Sequence, residues 1–368
     1  MEAIDLGLEG VVIGETAIAN VDGSAGELSY RGVGIEELVN WPFLSVVWLL
    51  LFGEEPSVRE EHALAHFLMA HRDLSASEQS ILDALPVQTH PMLMLQALVP
   101  LLDLKTDADL AIPFGGPTAL EGLVIAARIP TLIASWRRKK LGLAWPLKSR
   151  SLDPLAAFLE CLDASEPDSL ALATLARTQI LQLEHSYNAG TFAGRVALGA
   201  RAPLQSSISA SIGTLFGTLH GGADEAALAF AKEVADPKAA DLAVADVLHS
   251  GGRVMGIGHR EYQTLDPRAK LLKPMAQELC AQSEEAAFLF ETLVAIEKSC
   301  RQRLAKPGRE LHANVEFYKG AVFHALGLPG DFFTAMFAMA RVYGYLAHAL
   351  EFEPNARLIR PRARYIGK

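Results

Sequence analysis

Apolar and polar positions divide this chain into a short, glycine-broken beginning and a long remainder with helical spacing. Over the first forty residues β-formers alternate with turn residues: Gly7 to Val12, then Asp22-Gly23, then Leu28 to Gly32. That pattern predicts short strands and turns. From about Pro42 the spacing changes. Leu64, Phe67, Leu68 and His71 recur as on one helix face. Pro91, Pro100, Pro113, Pro117 and Pro130 are expected to punctuate a series of helices, with Gly115-Gly116-Pro117 as a loop. Leu170 to Leu183 reads as another helix, and Ser207 to Thr218 as a helix of small residues able to pack closely. Asp236-Pro237, Gly251-Gly252 and Lys306-Pro307-Gly308 are expected breaks. Phe333 to Leu350 predicts one long, mostly apolar helix, and the basic end, Asn355 to Lys368, contains Pro361. No internal repeat or low-complexity segment is evident. The fold class expected is mainly α, with short β segments near the N-terminus.

Composition supports a packed chain: 50% of the 368 residues are hydrophobic and 21% are charged, too apolar for disorder. The formal net charge of -10 argues against nucleic acid, which needs a basic face. It leaves room for small anions, because a few local arginines override an average field. Cys161, Cys280 and Cys300 are widely spaced and form no CxxC pair, so free thiols in a reducing compartment are expected. The N-terminus lacks a basic and an apolar region of a signal peptide. The apolar run Phe43 to Phe52 is shorter than the roughly 20 residues that span a bilayer. The cytoplasm is the expected location.

Six segments can carry chemistry. Arg341 stands in the middle of the last apolar helix, where a charge is costly unless paired. It either meets a carboxylate of the chain or forms an anion site, since a guanidinium holds a carboxylate by two parallel hydrogen bonds. In Leu219-His220-Gly221-Gly222-Ala223-Asp224-Glu225 a helix is expected to end near His220 and another to start after the glycines, leaving the imidazole as a turn residue or aimed into a cleft. Met255-Gly256-Ile257-Gly258-His259-Arg260, followed by Asp266-Pro267-Arg268, lacks a Walker lysine or a strand-GxGxxG-helix context. It describes a loop offering backbone amides and one imidazole. In His312-Ala313-Asn314-Val315-Glu316-Phe317-Tyr318 the carboxylate is either a helix N-terminal acid or a buried base of raised pKa. Glu184-His185-Ser186-Tyr187-Asn188-Ala189 and Ile359-Arg360-Pro361-Arg362 are each ordinary when taken alone. No HExxH spacing supports a metal site among the histidines.

Taken together and in this order, the motifs resemble the citrate synthase family over nearly the whole chain. Gly7-Leu-Glu-Gly-Val-Val, Tyr30-Arg31-Gly32, Thr89-His90-Pro91-Met92, the segment from Glu184, His220-Gly-Gly-Ala-Asp-Glu, Gly258-His259-Arg, Asp266-Pro-Arg268 and the ending from Arg360 to Gly367 all take part. The resemblance implies a citrate-synthase-like homodimer with a large domain, 1–220 and 322–368, and a small one, 221–321, that closes on substrate. It implies that His220 hydrogen-bonds the thioester carbonyl, that His259 polarises the ketone of oxaloacetate, and that Glu316 takes the base position. His185, Arg268 and Arg341 become carboxylate ligands, Arg360 an arginine supplied by the partner subunit, and Gly256, Ile257 and Gly258 the CoA side. The implied reaction joins an acyl-CoA, a co-substrate, to oxaloacetate and hydrolyses the thioester, with no tightly bound cofactor and no metal.

Three positions depart from the family's pattern. Its base is an aspartate in an Asn-Val-Asp-Phe type motif, whereas this chain has Glu316, which displaces the carboxyl by roughly an angstrom. Gln263 stands where many relatives carry Lys or Arg, and Gly190 where they often carry Ser. Three functions therefore stay open: a citrate synthase, a 2-methylcitrate synthase using propionyl-CoA, and a weakly active or silent paralogue that binds carboxylates or CoA. One methyl group discriminates the first two by only about 1–3 kcal/mol.

Overall fold

The computed structural model describes residues 7–8, 10–106, 116–145, 148–163, 165–305 and 311–367. Its fold is mainly α, as the spacing predicts. A small antiparallel sheet, ordered β1-β2-β3, is made of β1 (Ala19–Asp22), β2 (Glu27–Tyr30) and β3 (Val33–Gly34). Gly7 to Val12 does not extend it: its described residues are irregular, and Val11 and Val12 are exposed. β-Formers there find no partner strand, and pairing rather than propensity makes a strand.

Helices α1 (Ile35–Leu38), α2 (Phe43–Phe52), α3 (Val58–His71), α4 (Ala76–Ala84) and α5 (Pro91–Leu98) follow. α3 and α4 each begin in a capping box, Ser57 with Glu60 and Ser75 with Glu78, which satisfies first-turn amides. α6 (Gly116–Lys140) runs straight through Pro130, which the sequence suggested as a boundary, and has Gly116 and Pro117 in its first turn. Burial of residues from Leu123 to Trp136 outweighs the hydrogen bond that Pro130 removes. Pro113 and the expected break at Lys306-Pro307-Gly308 lie outside the described residues. α6 is long and apolar enough to span a membrane, but its apolar stretch is mostly buried among neighbouring helices, where a core helix sits.

Next come α7 (Pro154–Asp163), α8 (Ser169–Ile180), α9 (Ala189–Gly199) and α10 (Leu204–Leu215). α8 ends three residues short of Leu183 and α10 three short of Thr218, so both chain ends are released to carry His185 and His220. α9 and α10 pack closely, as their small residues predict: a Cβ on Gly194 would lie 2.4 Å from Ser211 Oγ. α11 (Ala223–Val234), α12 (Ala240–His249), α13 (Pro267–Cys280), α14 (Glu284–Leu304) and α15 (Val315–Ala325) pack largely on one another. α16 (Phe333–Phe352) is buried from Phe333 to Ala349 and packs against α2, α6, α9 and α10. A helix enclosed on every side has no need of a polar face, which explains its apolar sequence. Cys161 is half-buried, Cys280 and Cys300 are buried, and none of the three is in a disulfide.

Candidate active site

Five of the seven side chains singled out for chemistry or substrate binding lie at or near the ends of helices or inside the central one, and His259 lies on the loop between α12 and α13. His185 follows α8 on a segment pinned from two sides. Tyr30 Oη donates to the carbonyls of Ile180 and Glu184 at 3.1 and 3.2 Å. Behind it, Gly344 of α16 approaches so closely that a Cβ would lie 2.3 Å from the Leu183 carbonyl. The His185 ring meets Tyr262 Oη at 3.2 Å and stands edge-on to His259, with ring centres 5.3 Å apart.

His220 lies on the turn between α10 and α11. The Gly190 amide donates to its Nε2 at 3.2 Å, and Asn188 Oδ1 is at the same distance. Asn188 also caps α9. The two contacts ask for opposite tautomers: accepting from the Gly190 amide places the proton of the neutral ring on Nδ1, and donating to Asn188 Oδ1 places it on Nε2. Gly190 has no space for the serine that relatives often carry: a Cβ would sit 2.6 Å from Tyr345 Oη and 3.1 Å from the Ser211 carbonyl.

The loop of Gly256, Ile257 and Gly258 is stitched to the segment that precedes Glu316. Gly258 N donates to the His312 carbonyl at 2.7 Å, Asn314 N to the Gly256 carbonyl at 2.9 Å, and Ile257 bridges Ala313. Gly256 has φ 79°, and a Cβ there would lie 2.9 Å from the Phe317 ring, so both its conformation and its neighbour demand glycine. Asn314 caps α15 by accepting from Glu316 N, and its side-chain amide donates to the Gly258 carbonyl at 2.8 Å. The Gly-His loop and the carboxylate are thus parts of one hydrogen-bonded unit.

His259 Nδ1 accepts from the amides of Glu261 and Tyr262 at 3.1 and 3.2 Å. The ring proton therefore sits on Nε2, which faces Arg268 Nη2 at 3.3 Å. Two donors converge there, an arrangement that an oxygen acceptor would complete. Arg268 is buried and held by Asp266, the α13 cap: Oδ1 accepts from Arg268 N and Nε, and Oδ2 from Arg268 Nη2 and Val315 N. Burial works to raise the Asp266 pKa, but Arg268 overrides it and holds the carboxyl below its ordinary value. For Arg268 burial pulls down while Asp266 pushes up, and the net shift is upward.

Arg341 is 1% exposed, donates through Nε to the Gln182 carbonyl at 2.8 Å, and stacks on Phe337 at 4.6 Å. Among the described residues no carboxylate forms an ion pair with it, which removes the bland reading of that arginine. Burial, joined by the charge of Arg341, lowers the pKa of His220 to about 4. Burial and Arg268 do the same to His259. His185 is driven well down by burial first and then by Arg268. All three rings are neutral at pH 7, when an imidazole is a donor that does not give up its proton outright.

Glu316 is 7% exposed and occupies the first turn of α15. Its Oε1 takes a hydrogen bond from Lys319 Nζ at 2.9 Å, and its buried Oε2 takes none from the described residues. Burial raises its pKa to about 7, with Lys319 working against the shift and Asp224 adding to it. Glu316 is thus both a helix N-terminal acid and a buried carboxyl. Beside the loop, a cavity of roughly 300 Å³ is lined in part by Gly258, His259, Gln263, Asp266, His312 and Asn314. Arg360 stands apart on the irregular, exposed tail, where Nη1 donates to the neighbouring Pro361 carbonyl. Among the described residues no group of three or more His, Cys, Asp or Glu could hold a metal.

The sequence reading gave no role to several residues of the site: Tyr262, Asn188, Asp266, Lys319 and Asp224. Two had a signal. Asp266 immediately before Pro267 is a cap-then-proline helix start. Lys319 lies three residues after Glu316, the spacing of an ion pair on a helix.

The family model described as citrate synthase, C-terminal domain, matches residues 7–362. The citrate synthase of Acidithiobacillus ferridurans is 35% identical over 373 residues, covering 98% of this chain and 95% of that protein. The 2-methylcitrate synthase of Shewanella oneidensis is 30% identical, covering 98% and 94%. Among solved structures, the complex of carboxymethyl coenzyme A and oxaloacetate with citrate synthase from Thermoplasma acidophilum superposes with a TM-score of 0.90 at 28% identity, over 100% of this chain and 97% of that one.

Proposed function

The chain belongs to the citrate synthase family, and from that membership we propose that it condenses acetyl-CoA with oxaloacetate and hydrolyses the product to citrate and CoA. The observation that carries this reading is the pair of converging donors, His259 Nε2 and Arg268 Nη2, 3.3 Å apart beside a buried Arg341 that no carboxylate of the described chain pairs. An anionic 2-oxo acid supplies the oxygens such a pocket requires.

In this mechanism His185, Arg268 and Arg341 hold the carboxylates of oxaloacetate, and Arg360 reaches the site from the partner subunit of a homodimer. The exposure of Arg360, together with Tyr365 at 81% and Ile366 at 92%, suits a tail that a second chain covers. Glu316 Oε2 removes a proton from the methyl group of acetyl-CoA while the His220 ring donates to the thioester oxygen, where enolate charge develops. The new carbon–carbon bond forms at the ketone carbon, the ketone oxygen becomes an alkoxide that accepts hydrogen bonds from His259 Nε2 and Arg268 Nη2, and water supplies its proton. Water then cleaves the thioester and releases the CoA thiol. The backbone of Gly256, Ile257 and Gly258 lines the CoA side. Helices between 221 and 321 act as a small domain that closes over oxaloacetate and excludes water, with 1–220 and 322–368 as the large domain. CoA enters as co-substrate, no cofactor is tightly bound, and the enzyme works in the cytoplasm.

The likeness to a 2-methylcitrate synthase supports a second reading, with propionyl-CoA as the acyl donor. The ion pair between Glu316 and Lys319 supports a third, a weakly active paralogue that binds carboxylates or CoA. Free-thiol release from acetyl-CoA and propionyl-CoA, each with oxaloacetate, sorts them. Faster release from acetyl-CoA is expected, and faster release from propionyl-CoA selects the second reading. No release from either, with oxaloacetate still bound, selects the third. A shared site predicts that inactive Arg360→Ala and His220→Ala chains partly rescue each other as heterodimers. Failure of rescue after verified subunit exchange would place Arg360 outside the mechanism.

A further inference from the structure

Lys319 is fully buried in α15, between two carboxylates: Glu316 Oε1 at 2.9 Å on its own helix and Asp224 Oδ2 at 3.2 Å on α11. Asp224 is also fully buried, and its Oδ1 accepts from the Glu225 amide at 2.8 Å. The ammonium lies 3.9 Å from the Phe337 ring, the same ring on which Arg341 stacks. These contacts hold Lys319 in one place and restrain one oxygen of Glu316. The other oxygen, Oε2, is buried and accepts no hydrogen bond from the described residues.

We propose that Lys319, clamped by Asp224, is the positioning residue that turns Glu316 so that one carboxyl oxygen is tied and the other is left open to a substrate proton. The proposal rests on the reading of Glu316 as the base and adds how that base is aimed and charged. One ammonium between two carboxylates carries one negative charge too many for a dry site, so the two acids compete for Lys319 and for a proton. The competition gives Asp224 a definite function. It withholds part of the lysine's charge from Glu316 and keeps that carboxylate basic. The raised pKa of Asp224, driven by burial against the pull of Lys319, agrees with such sharing.

Other charges face this group from every side. Arg268 of α13 lowers the pKa of Glu316, and Lys319 in turn acts on His220 of the turn before α11. Arg341 of α16 lies at the Phe337 ring. On α14, Glu297 bonds Tyr318 Oη and Lys273 and so is spoken for by other partners. The only charged residue of α8, Arg177, is exposed.

The test follows the carboxyl proton directly. In the full-length protein, the infrared band of a protonated carboxyl that disappears in Glu316→Gln reports the Glu316 titration whether or not the protein turns over. Lys319→Met removes the attraction and should move that midpoint up by about one pH unit or more. Asp224→Asn removes the competitor and should move it down. In an active protein the acid limb of the kcat profile should follow, with KM for oxaloacetate unchanged within about twofold, while Lys319→Arg restores much of kcat. Should Lys319→Met fail to fold, Asp224→Asn and the neutral pair Lys319→Met with Asp224→Asn carry the comparison. Midpoints that stay at the wild-type value in the folded variants would overturn the positioning role. Full turnover by Glu316→Gln would instead overturn the base assignment and leave the midpoint shifts to be judged by themselves.

Discussion

Two buried ion clusters stand at the starts of neighbouring helices, and they differ in charge balance. At the start of α13, Asp266 and Arg268 pair one to one, and each carboxylate oxygen of Asp266 accepts two hydrogen bonds. At the start of α15, one lysine serves Glu316 and Asp224, and Glu316 Oε2 accepts none. Both regions are almost dry, so the difference is not one of solvent. A balanced and saturated pair stays charged and acts as a strut, here holding the backbone of Val315 and aiming Arg268 at His259. An unbalanced and unsaturated group sits near its point of proton exchange. Two carboxylates of similar burial thus differ in the number of partners that reach them, and the proposed base is the one with fewer.

The comparison fails most visibly if the reactive carboxylate can be neutralised without effect. Glu316→Gln should lower thiol release by about 100- to 10,000-fold, the usual worth of general acid–base catalysis, while oxaloacetate binding measured by calorimetry persists. Glu316→Asp should keep or raise turnover, because it brings back the shorter side chain of the family's motif.

The strut should respond in stability. Arg268→Met leaves the Asp266 carboxylate buried beside Val315 N with its charge unpaired and should cost about 3–5 kcal/mol in denaturant unfolding. A loss below 1 kcal/mol would mean that the pair is no strut.

The two carboxyls should also oppose each other in pH dependence. Glu316 has its pKa raised to about 7, so its contribution to stability is full below the unfolded value near 4.5 and is lost as pH rises through 7. Asp266 has a lowered pKa, so its contribution is present above the ordinary carboxylate value and is lost as pH falls through its own. Thermal unfolding of Glu316→Gln against wild type should therefore move in favour of the variant between pH 5 and pH 8, by a few kcal/mol at most. A difference that is flat over that window would contradict the raised value. The smallest effect belongs to the link between the clusters. Asn314→Ala removes the cap of α15 and its bond to the Gly258 carbonyl and should cost about 1–2 kcal/mol.

Much of the fold was legible because hydrophobic spacing reports burial directly. α16 followed from its apolar run and the α9–α10 contact from small residues. The misreadings came from elements that a distant partner decides. Val11 and Val12 look like strand residues but meet no strand, and Pro130 looks like a boundary but lies in a helix that its neighbours bury. At the site, the order of the histidine and arginine motifs marked His185, His220, His259, Arg268, Glu316 and Arg341. Asp224 stood in the His220 motif and Lys319 at ion-pair spacing from Glu316, but nothing marked the two as neighbours. They are 95 residues apart in sequence, and a lysine in a helix usually points to water.

The sequence by itself determined the family, since the order of motifs that are each unspecific alone is a property of the chain. The tertiary structure alone decided how each charge is counterbalanced. Whether a buried acid is a strut or a base depends on how many partners reach it in a medium that screens little, and those partners arrive from helices far apart along the chain.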